Sequence, residues 1–147
     1  VADGGFEHVS LARPVTPFDW TFPEHGEIEV IAGPEQGFSG TTLSVSSTAP
    51  GRRSFARQFV QLAPGKYRAS WRALDSEGKP SDAITVSLSC TAAVHDPVSA
   101  RVADPARGQY VADLVVPDRC EMQWLDLAIA GQGGPVTLDD VAIAPLS

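Results

Sequence analysis

The stretch that decides the fold is Gln61–Leu74, QLAPGKYRASWRAL. Its Pro-Gly pair is a turn signal, because proline presets φ and glycine accepts the positive φ that few other residues tolerate. From Tyr67 onward, small or apolar residues such as Trp71 alternate with polar ones such as Arg68 and Arg72. This period of two predicts a β-strand with large aromatic rings toward an apolar core and cations on its back.

Short alternating runs separated by turn residues continue along the whole chain. The 13 glycines and 12 prolines are spread along it, which suits many short strands better than helices. No stretch has a helical period of useful length. The pattern therefore predicts an all-β fold, an antiparallel β-sandwich. The predicted strands are Glu27–Ala32, Thr41–Ser47, Ser54–Leu62, Tyr67–Ala73, Ala83–Cys90, one around Val98–Val102, Gln109–Val116, Met122–Ala130 and Val136–Ala144.

Length and charge restrict the classes of partner. The formal net charge of −7 argues against DNA or RNA, because phosphate binding needs a positive footprint. No apolar run approaches the length of a membrane span, so we expect no membrane insertion. We expect residues 1–147 to form a single β-sandwich domain with a substantial core. The chain starts at Val1 without a methionine, which favours a processed chain or a fragment of a longer protein.

Cys90 and Cys120 provide the redox clue. Each lies at an end of a strand-like run, so neighbouring strand ends can bring the two thiols together. A disulfide between them would stabilise the domain by about 3–4 kcal/mol on the loop-entropy estimate, and it would place the domain outside the reducing cytoplasm. The alternative is two buried free thiols. Two cysteines this far apart, without a nearby histidine, do not match a zinc site.

The last predicted strand contains a change of phase. The apolar pairs on either side of Asp139-Asp140, within Val136–Ile143, have opposite parity. A β-bulge at the acidic pair would let both apolar pairs face the core while it turns one carboxylate inward along the sheet edge. This arrangement predicts an oxygen-ligand site near the glycine-rich N-terminal segment.

Four short motifs occur in order along the chain, and together they resemble a known family. They are Gly4–Glu7 (GGFE), Gly37–Val45 (GFSGTTLSV), Pro64–Tyr67 (PGKY) and Leu138–Val141 (LDDV). The chain is similar, over nearly its whole length, to the carbohydrate-binding-module type of galactose-binding-like jelly roll, the kind that binds xylans and glucans. This resemblance implies a non-catalytic module that recognises a polysaccharide.

The resemblance also implies a structural calcium ion. In that family the N-terminal glycine-x-glutamate and the first aspartate of the closing Asp-Asp-Val commonly hold the metal. Carried over to this chain, Glu7 and Asp139 would supply carboxylates, Gly5 a carbonyl, and Ser39 or its neighbour Gly40 a second carbonyl. Calcium prefers such mixed oxygen ligands, at about 2.3–2.6 Å. The alternative is that the two carboxylates only accept hydrogen bonds from loop amides.

A second resemblance concerns Pro17–Trp20 (PFDW) and Cys120–Leu125 (CEMQWL). These segments are similar to domains appended to bacterial proteins of the tetratricopeptide type, which are often linked to exopolysaccharide systems. The resemblance implies the C-terminal domain of such a protein, with an extracytoplasmic location that is either periplasmic or secreted.

Trp124 is the first candidate for a sugar platform. It has the opposite parity to Leu125, Leu127 and Ile129 of its strand, so we expect it on the outward face. With Arg68 and Arg72, on the outer face of their own strand, it could line a concave cleft. Trp20 is a second candidate, as an aromatic ring in a loop. The alternatives are that Trp124 covers a sheet edge and that Trp20 anchors its proline-rich loop.

No catalytic constellation is present in the sequence. There is no Gly-x-Ser-x-Gly elbow, and nothing places two carboxylates across a cleft, so we do not expect an enzyme.

Arg52, Arg53 and Arg57 form a local basic cluster in an acidic chain. Such a cluster is usually a solvated hairpin and less often a contact for an anionic polysaccharide or an acidic partner. Two functions remain open. One is a polysaccharide-binding module, and the other is a structural domain that docks a protein partner and has no sugar site.

Overall fold

The computed structural model describes residues 20–22, 27–34, 41–90, 101–104, 106–131 and 133–146. Across these ranges the regular secondary structure is all strand, and none of the described residues forms a helix that could cross a membrane. The strands are β1 Ile28–Pro34, β2 Thr41–Ser47, β3 Arg52–Val60, β4 Gly65–Leu74, β5 Ile84–Cys90, β6 Arg101–Asp104, β7 Gln109–Val116, β8 Gln123–Ala130 and β9 Gly133–Pro145.

The strands form two antiparallel sheets. The larger has the order β1-β2-β9-β4-β7-β6, and the smaller has the order β3-β8-β5. Thr21 adds a bridge on the free side of β3, because its N–H donates to the Arg57 carbonyl at 2.7 Å and its carbonyl accepts from the Arg57 N–H at 2.8 Å. The two sheets pack as a jelly-roll β-sandwich, so the predicted fold class is confirmed.

Most predicted strands coincide with observed strands within two or three residues at each end, and two differences have a physical reason. β1 continues through Gly33-Pro34, where the sequence predicts a break. It lies at the edge of its sheet, where proline is tolerated because the missing N–H need not bond a further strand. β6 starts at Arg101, whereas residues 98–100 of the predicted strand lie outside the described residues.

The core lies between the sheets and is filled from both sides. In β4 the alternation predicted from the sequence is confirmed, because Trp71 has no exposed surface and Arg68 and Arg72 are on the opposite face. From the smaller sheet, Leu125 and Leu127 of β8 pack into the same apolar cluster. The inward faces of β4 and β8 therefore face each other across one core, and their outward faces point in opposite directions.

β9 contains the predicted bulge. Asp139 pairs with Arg72 and Ala142 pairs with Ser70, so β9 advances three residues where β4 advances two. The extra residue is accommodated at Asp140, which has a φ of 55°. This positive φ is rare for a residue with a side chain, and aspartate tolerates it better than most.

The bulge has the predicted consequence for burial but not the predicted position. Leu138 and Val141 are both buried, and so is Asp139, with 2% of its surface exposed. The Asp140 side chain is 55% exposed. The sequence suggested that this carboxylate lies along a sheet edge, and this position is wrong. The 13-residue strand β9 is inside its sheet, because it pairs with β2 on one side and with β4 on the other.

Candidate functional site

The structure separates the residues predicted to form a sugar cleft. Arg68 and Arg72 lie on the outer face of the six-stranded sheet, and Trp124 lies on the outer face of the three-stranded sheet. The predicted cleft that combines them is therefore wrong. Sequence parity reports which residues face outward, but it does not report which sheet a strand joins.

The two arginines of β4 have contacts within their own sheet. Arg68 is directly opposite Asp113 on β7, with Nε 2.8 Å from Oδ1, and this hydrogen bond raises the pKa of the Arg68 guanidinium. Arg72 donates from Nε to the carbonyl of Arg107 at 3.0 Å, and its side chain is only 11% exposed. Both arginines are thus engaged within the six-stranded sheet, away from Trp124.

Trp20 is in the core. Only 3% of its surface is exposed, because Thr21 pairs with Arg57 and this bridge turns the preceding residue inward. The Trp20 indole is thus not available as a platform at a loop tip. Its position agrees with the alternative interpretation, in which it anchors its loop to the sandwich.

Of the four predicted calcium ligands, only Asp139 is within the described residues. Gly5, Glu7 and Ser39 lie outside them. Asp139 is buried at the bulge, whereas its neighbour Asp140 is exposed. Within the described part of the chain, no three His, Cys, Asp or Glu side chains are grouped closely enough to hold a metal ion.

The predicted disulfide is confirmed. Cys90 and Cys120 are bonded, with their Cα atoms 5.5 Å apart. Cys90 is the last residue of β5, and Cys120 is in the turn that leads into β8. The bond therefore fixes the start of β8 against the end of β5, where Cys90 pairs with Gln123, the residue before Trp124.

A second clamp at the start of β8 was not recognised in the sequence. The buried amide of Gln123 accepts a hydrogen bond from the Leu62 N–H at 2.9 Å, donates to the Leu62 carbonyl at 3.3 Å, and also donates to the Cys120 carbonyl. A glutamine at an inward-facing position of an apolar strand was the available signal. The clamp joins the chain just beyond β3 to β8, and so it fixes the two strands that carry the outward aromatic residues.

Trp124 stacks on Phe59, its direct partner on β3. The ring centroids are 3.6 Å apart and the planes are inclined by 23°. The guanidinium carbon of Arg57 lies over the Trp124 ring at 4.4 Å from its centroid. A ring stacked this closely fills one side of the indole, so Arg57 lies on the other side. The indole is therefore held between two side chains of β3.

A polar network borders this stack. Arg57 Nε lies 3.1 Å from Oδ2 of Asp126, and the Ser54 hydroxyl donates to Oδ1 of Asp126 at 2.7 Å. The side chains of Arg57 and Asp126 are 38% and 24% exposed. We call the outward surface formed by Ser54, Arg57, Phe59, Trp124 and Asp126 the Trp124 face.

The third strand of the small sheet borders this surface with hydroxyl groups. Ser87 is directly opposite Asp126, and Ser89 is directly opposite Trp124, both on β5. Sequence reasoning identified Trp124 alone on this face, because the other members become its neighbours only through the β3–β8 register. Aromatic surface beside charged and hydroxyl groups is an arrangement that can hold a sugar ring, with apolar contact to its C–H groups and hydrogen bonds to its oxygens.

Comparison with known proteins identifies similar folds. Neither a protein-family model nor a curated protein matches the chain. Among solved structures, a carbohydrate-binding module described as CBM4 matches with a TM-score of 0.62 and 18% identity, over 98% of this chain and 99% of its own. The module TmCBM61, solved in complex with β-1,4-galactotriose, matches with a TM-score of 0.61 and 15% identity, over 99% and 97% of the two chains.

A third match is a domain within a larger protein. The enzymatically active domain of tailspike protein 4 from bacteriophage CBA120 matches with a TM-score of 0.50 and 16% identity, over 97% of this chain and 20% of the tailspike chain. At these identities the matches show the fold alone, a β-sandwich shared over nearly the full length of two carbohydrate-binding modules.

Proposed function

We propose that this chain is a non-catalytic carbohydrate-binding module and that the Trp124 face is its binding surface. The observation that carries the proposal is the stack of Trp124 on Phe59, which is on the outside of the sandwich and not in its core. Two partly exposed aromatic rings in contact, next to an ion pair, offer flat apolar surface beside polar groups, which is what a sugar ring needs. The fold shared with two carbohydrate-binding modules supports the same function.

In the proposed complex a sugar ring replaces Arg57 over the indole. Arg57 is held there by an ion pair and a cation–π contact, both partly exposed. In the complex Arg57 moves off the ring but keeps its ion pair with Asp126, so only the cation–π contact is lost, at a cost of up to about 1 kcal/mol. Phe59 stays on the opposite side of the indole and keeps its plane fixed.

Two features of the face favour binding over catalysis. Along the outward positions of β3, β8 and β5, the described residues include one carboxylate, that of Asp126. Hydrolysis of a glycosidic bond ordinarily uses a pair of carboxyl groups across the bond. Both Asp126 oxygens are moreover engaged, one by Arg57 and one by Ser54.

The proposal extends to where the module works. The Cys90–Cys120 disulfide supports an extracytoplasmic location, because such bonds persist in oxidising compartments. A bacterial origin, an attachment to a protein of the tetratricopeptide type and an exopolysaccharide ligand rest on the resemblances in the sequence. The bound trisaccharide of TmCBM61 makes β-1,4-galactan a sensible neutral probe.

We also propose that a structural calcium ion is held by Glu7, Asp139 and the carbonyls of Gly5 and Ser39. The ligand set is what the family resemblance implies, and the described residues contribute the burial of the Asp139 side chain at the bulge of β9. The ion would supply positive charge that balances the carboxylates at the bulge.

A glycan-array screen of the wild-type chain, with and without calcium, tests the function. Retention of one glycan class, with a dissociation constant that titration confirms, is the expected result. If no glycan is retained in either condition, the binding function is wrong. The alternative of a structural domain that docks a protein partner would then account for the same fold.

A further inference from the structure

We propose that the ligand of the Trp124 face is an acidic glycan, one whose sugar rings carry a carboxylate or a sulfate, and that Arg57 is the residue that selects it. This inference rests on the proposed function, because it names the ligand class of the same surface. It goes beyond that function in predicting that a neutral polysaccharide of the same backbone binds more weakly.

The first argument is the hydrogen-bonding capacity that Arg57 keeps free. A guanidinium has five N–H donors, and the contacts of Arg57 with the described side chains use its Nε edge, toward Asp126, and its flat face, over Trp124. None of the described residues accepts a hydrogen bond from its two terminal amino groups. These groups form the planar fork that matches the oxygen pair of a carboxylate or sulfate.

The second argument is that the matching acceptor on this face is occupied. Asp126 already accepts a hydrogen bond from Ser54 on one oxygen and faces Arg57 with the other. The strongest group left for a ligand is therefore a cation that donates and cannot accept. A neutral sugar offers hydroxyl groups, which form only neutral-acceptor hydrogen bonds with such a donor, whereas the oxygens of a carboxylate or sulfate substituent form stronger charge-assisted ones.

The third argument is the local sign of charge. The outward side of the small sheet carries two arginines, Arg52 and Arg57, and one aspartate, Asp126, although the whole chain has a net charge of −7. Arg52 shares the outward side of β3, since its partner Ala130 is two positions beyond Ala128, the partner of Ser54. At physiological ionic strength the screening length is about 8 Å, so a glycan on this face interacts mainly with the local charges, which sum to +1, and less with carboxylates beyond that range.

The test uses pairs of polysaccharides that differ only in the anionic group. Polygalacturonate and alginate are each compared with their methyl-esterified forms, and dextran sulfate is compared with dextran, at 0.15 M salt, by titration calorimetry. We expect at least one acidic member to bind about tenfold more tightly than its neutral partner. Arg57→Gln should remove most of that difference, because a charge-assisted hydrogen bond is roughly twice as strong as a neutral one. The pair that responds shows whether the anion is a carboxylate or a sulfate.

Arg68→Gln is the matched control. Arg68 is about as exposed as Arg57, at 42% against 38%, and it is also paired with an aspartate, but it is on the opposite outer face. It should leave every affinity unchanged, and an equal loss in both variants would overturn the inference by showing a bulk charge effect. If Arg57→Gln does not fold, Arg52→Gln, at an exposed position, should lower acidic-glycan affinity by a smaller factor.

The remaining outcomes separate this inference from the proposed function. Equal or tighter binding of the neutral member, with binding still lost in Trp124→Ala, overturns the acidic-ligand inference and leaves the glycan-binding function intact. Absence of binding to every polysaccharide, neutral probes from the array included, overturns both.

Discussion

The guanidinium of Arg57 lies over the indole of Trp124, 4.4 Å from the ring centroid, on the side not covered by Phe59. Arg57 therefore both covers the proposed platform and holds beside it two terminal amino groups from which none of the described residues accepts a hydrogen bond. It also explains why the indole is only partly exposed although it is on the outside of the sandwich.

The contact of the Arg57 guanidinium with the Trp124 indole can be tested without any ligand. Trp20 and Trp71 are buried, with 3% and 0% of their surface exposed, so acrylamide should quench mainly the fluorescence of Trp124. We expect Arg57→Ala to raise the quenching constant, because it uncovers one side of that indole. Arg68→Ala, on the opposite face, should not change it. An unchanged constant in Arg57→Ala would mean that the guanidinium does not cover the ring.

The disulfide should make a large contribution to stability. Replacing Cys90 and Cys120 together by alanine opens a loop of 30 residues in sequence separation, and the loop-entropy estimate predicts a loss of about 3–4 kcal/mol. Urea denaturation of the variant and of the wild type, with and without reductant, measures the difference. Reductant should destabilise only the wild type. A wild type that is insensitive to reductant would contradict this account of the bond.

The buried hydrogen bonds of the Gln123 clamp should contribute measurably to the free energy of unfolding. Gln123→Leu keeps the volume but leaves the Leu62 N–H and carbonyl and the Cys120 carbonyl without their buried partner. A buried group left unsatisfied costs about 1–3 kcal/mol, so we expect a loss of at least that size in chemical denaturation. Gln61→Leu, at an exposed position next to the clamp, is the control and should change stability little. Equal effects in the two variants would show that the clamp contributes nothing specific.

The calcium proposal predicts a chelator effect that depends on one carboxylate. A ligand that binds only the folded state, at a hundredfold excess over its dissociation constant, adds about 2.7 kcal/mol. Chelator should therefore lower the melting temperature of the wild type and of Asp140→Asn, whose side chain is exposed. Asp139→Asn should melt at the same temperature with and without chelator. If chelator has no effect on the wild type and the purified protein carries no metal, the predicted ligands form only a hydrogen-bonded contact.

The sequence predicted the strands well because their periodicity is a local property. The alternation of β4 around Trp71 and the phase change at Asp139-Asp140 each depend on residues a few positions apart, and both appear in the structure. The disulfide was also predictable, since the two cysteines mark the ends of strands that become neighbours.

The binding surface could not be predicted in the same way. The outward direction of Trp124 is local, but its neighbours Phe59 and Arg57 are more than 60 positions away and meet it through the pairing of β3 with β8. Arg68 faces outward as predicted, yet on the other sheet. The assignment of strands to sheets depends on packing between distant segments, and alternation within one strand carries no information about it.

One variant tests the central claim most directly. Trp124→Ala removes the platform, and Val115→Ala removes an apolar side chain that is 69% exposed on the outer face of the other sheet. Thermal melting and retention in gels that contain the glycan selected by the array are measured on the same samples. We expect Trp124→Ala to lose most glycan retention while stability falls by only about 1–2 kcal/mol, the sum expected for one aromatic and one cation–π contact. Val115→Ala should keep both properties. Full glycan retention by Trp124→Ala would contradict the account. So would a wild type that retains no glycan, combined with a stability loss of about 3–5 kcal/mol in Trp124→Ala, the loss expected for a core aromatic residue.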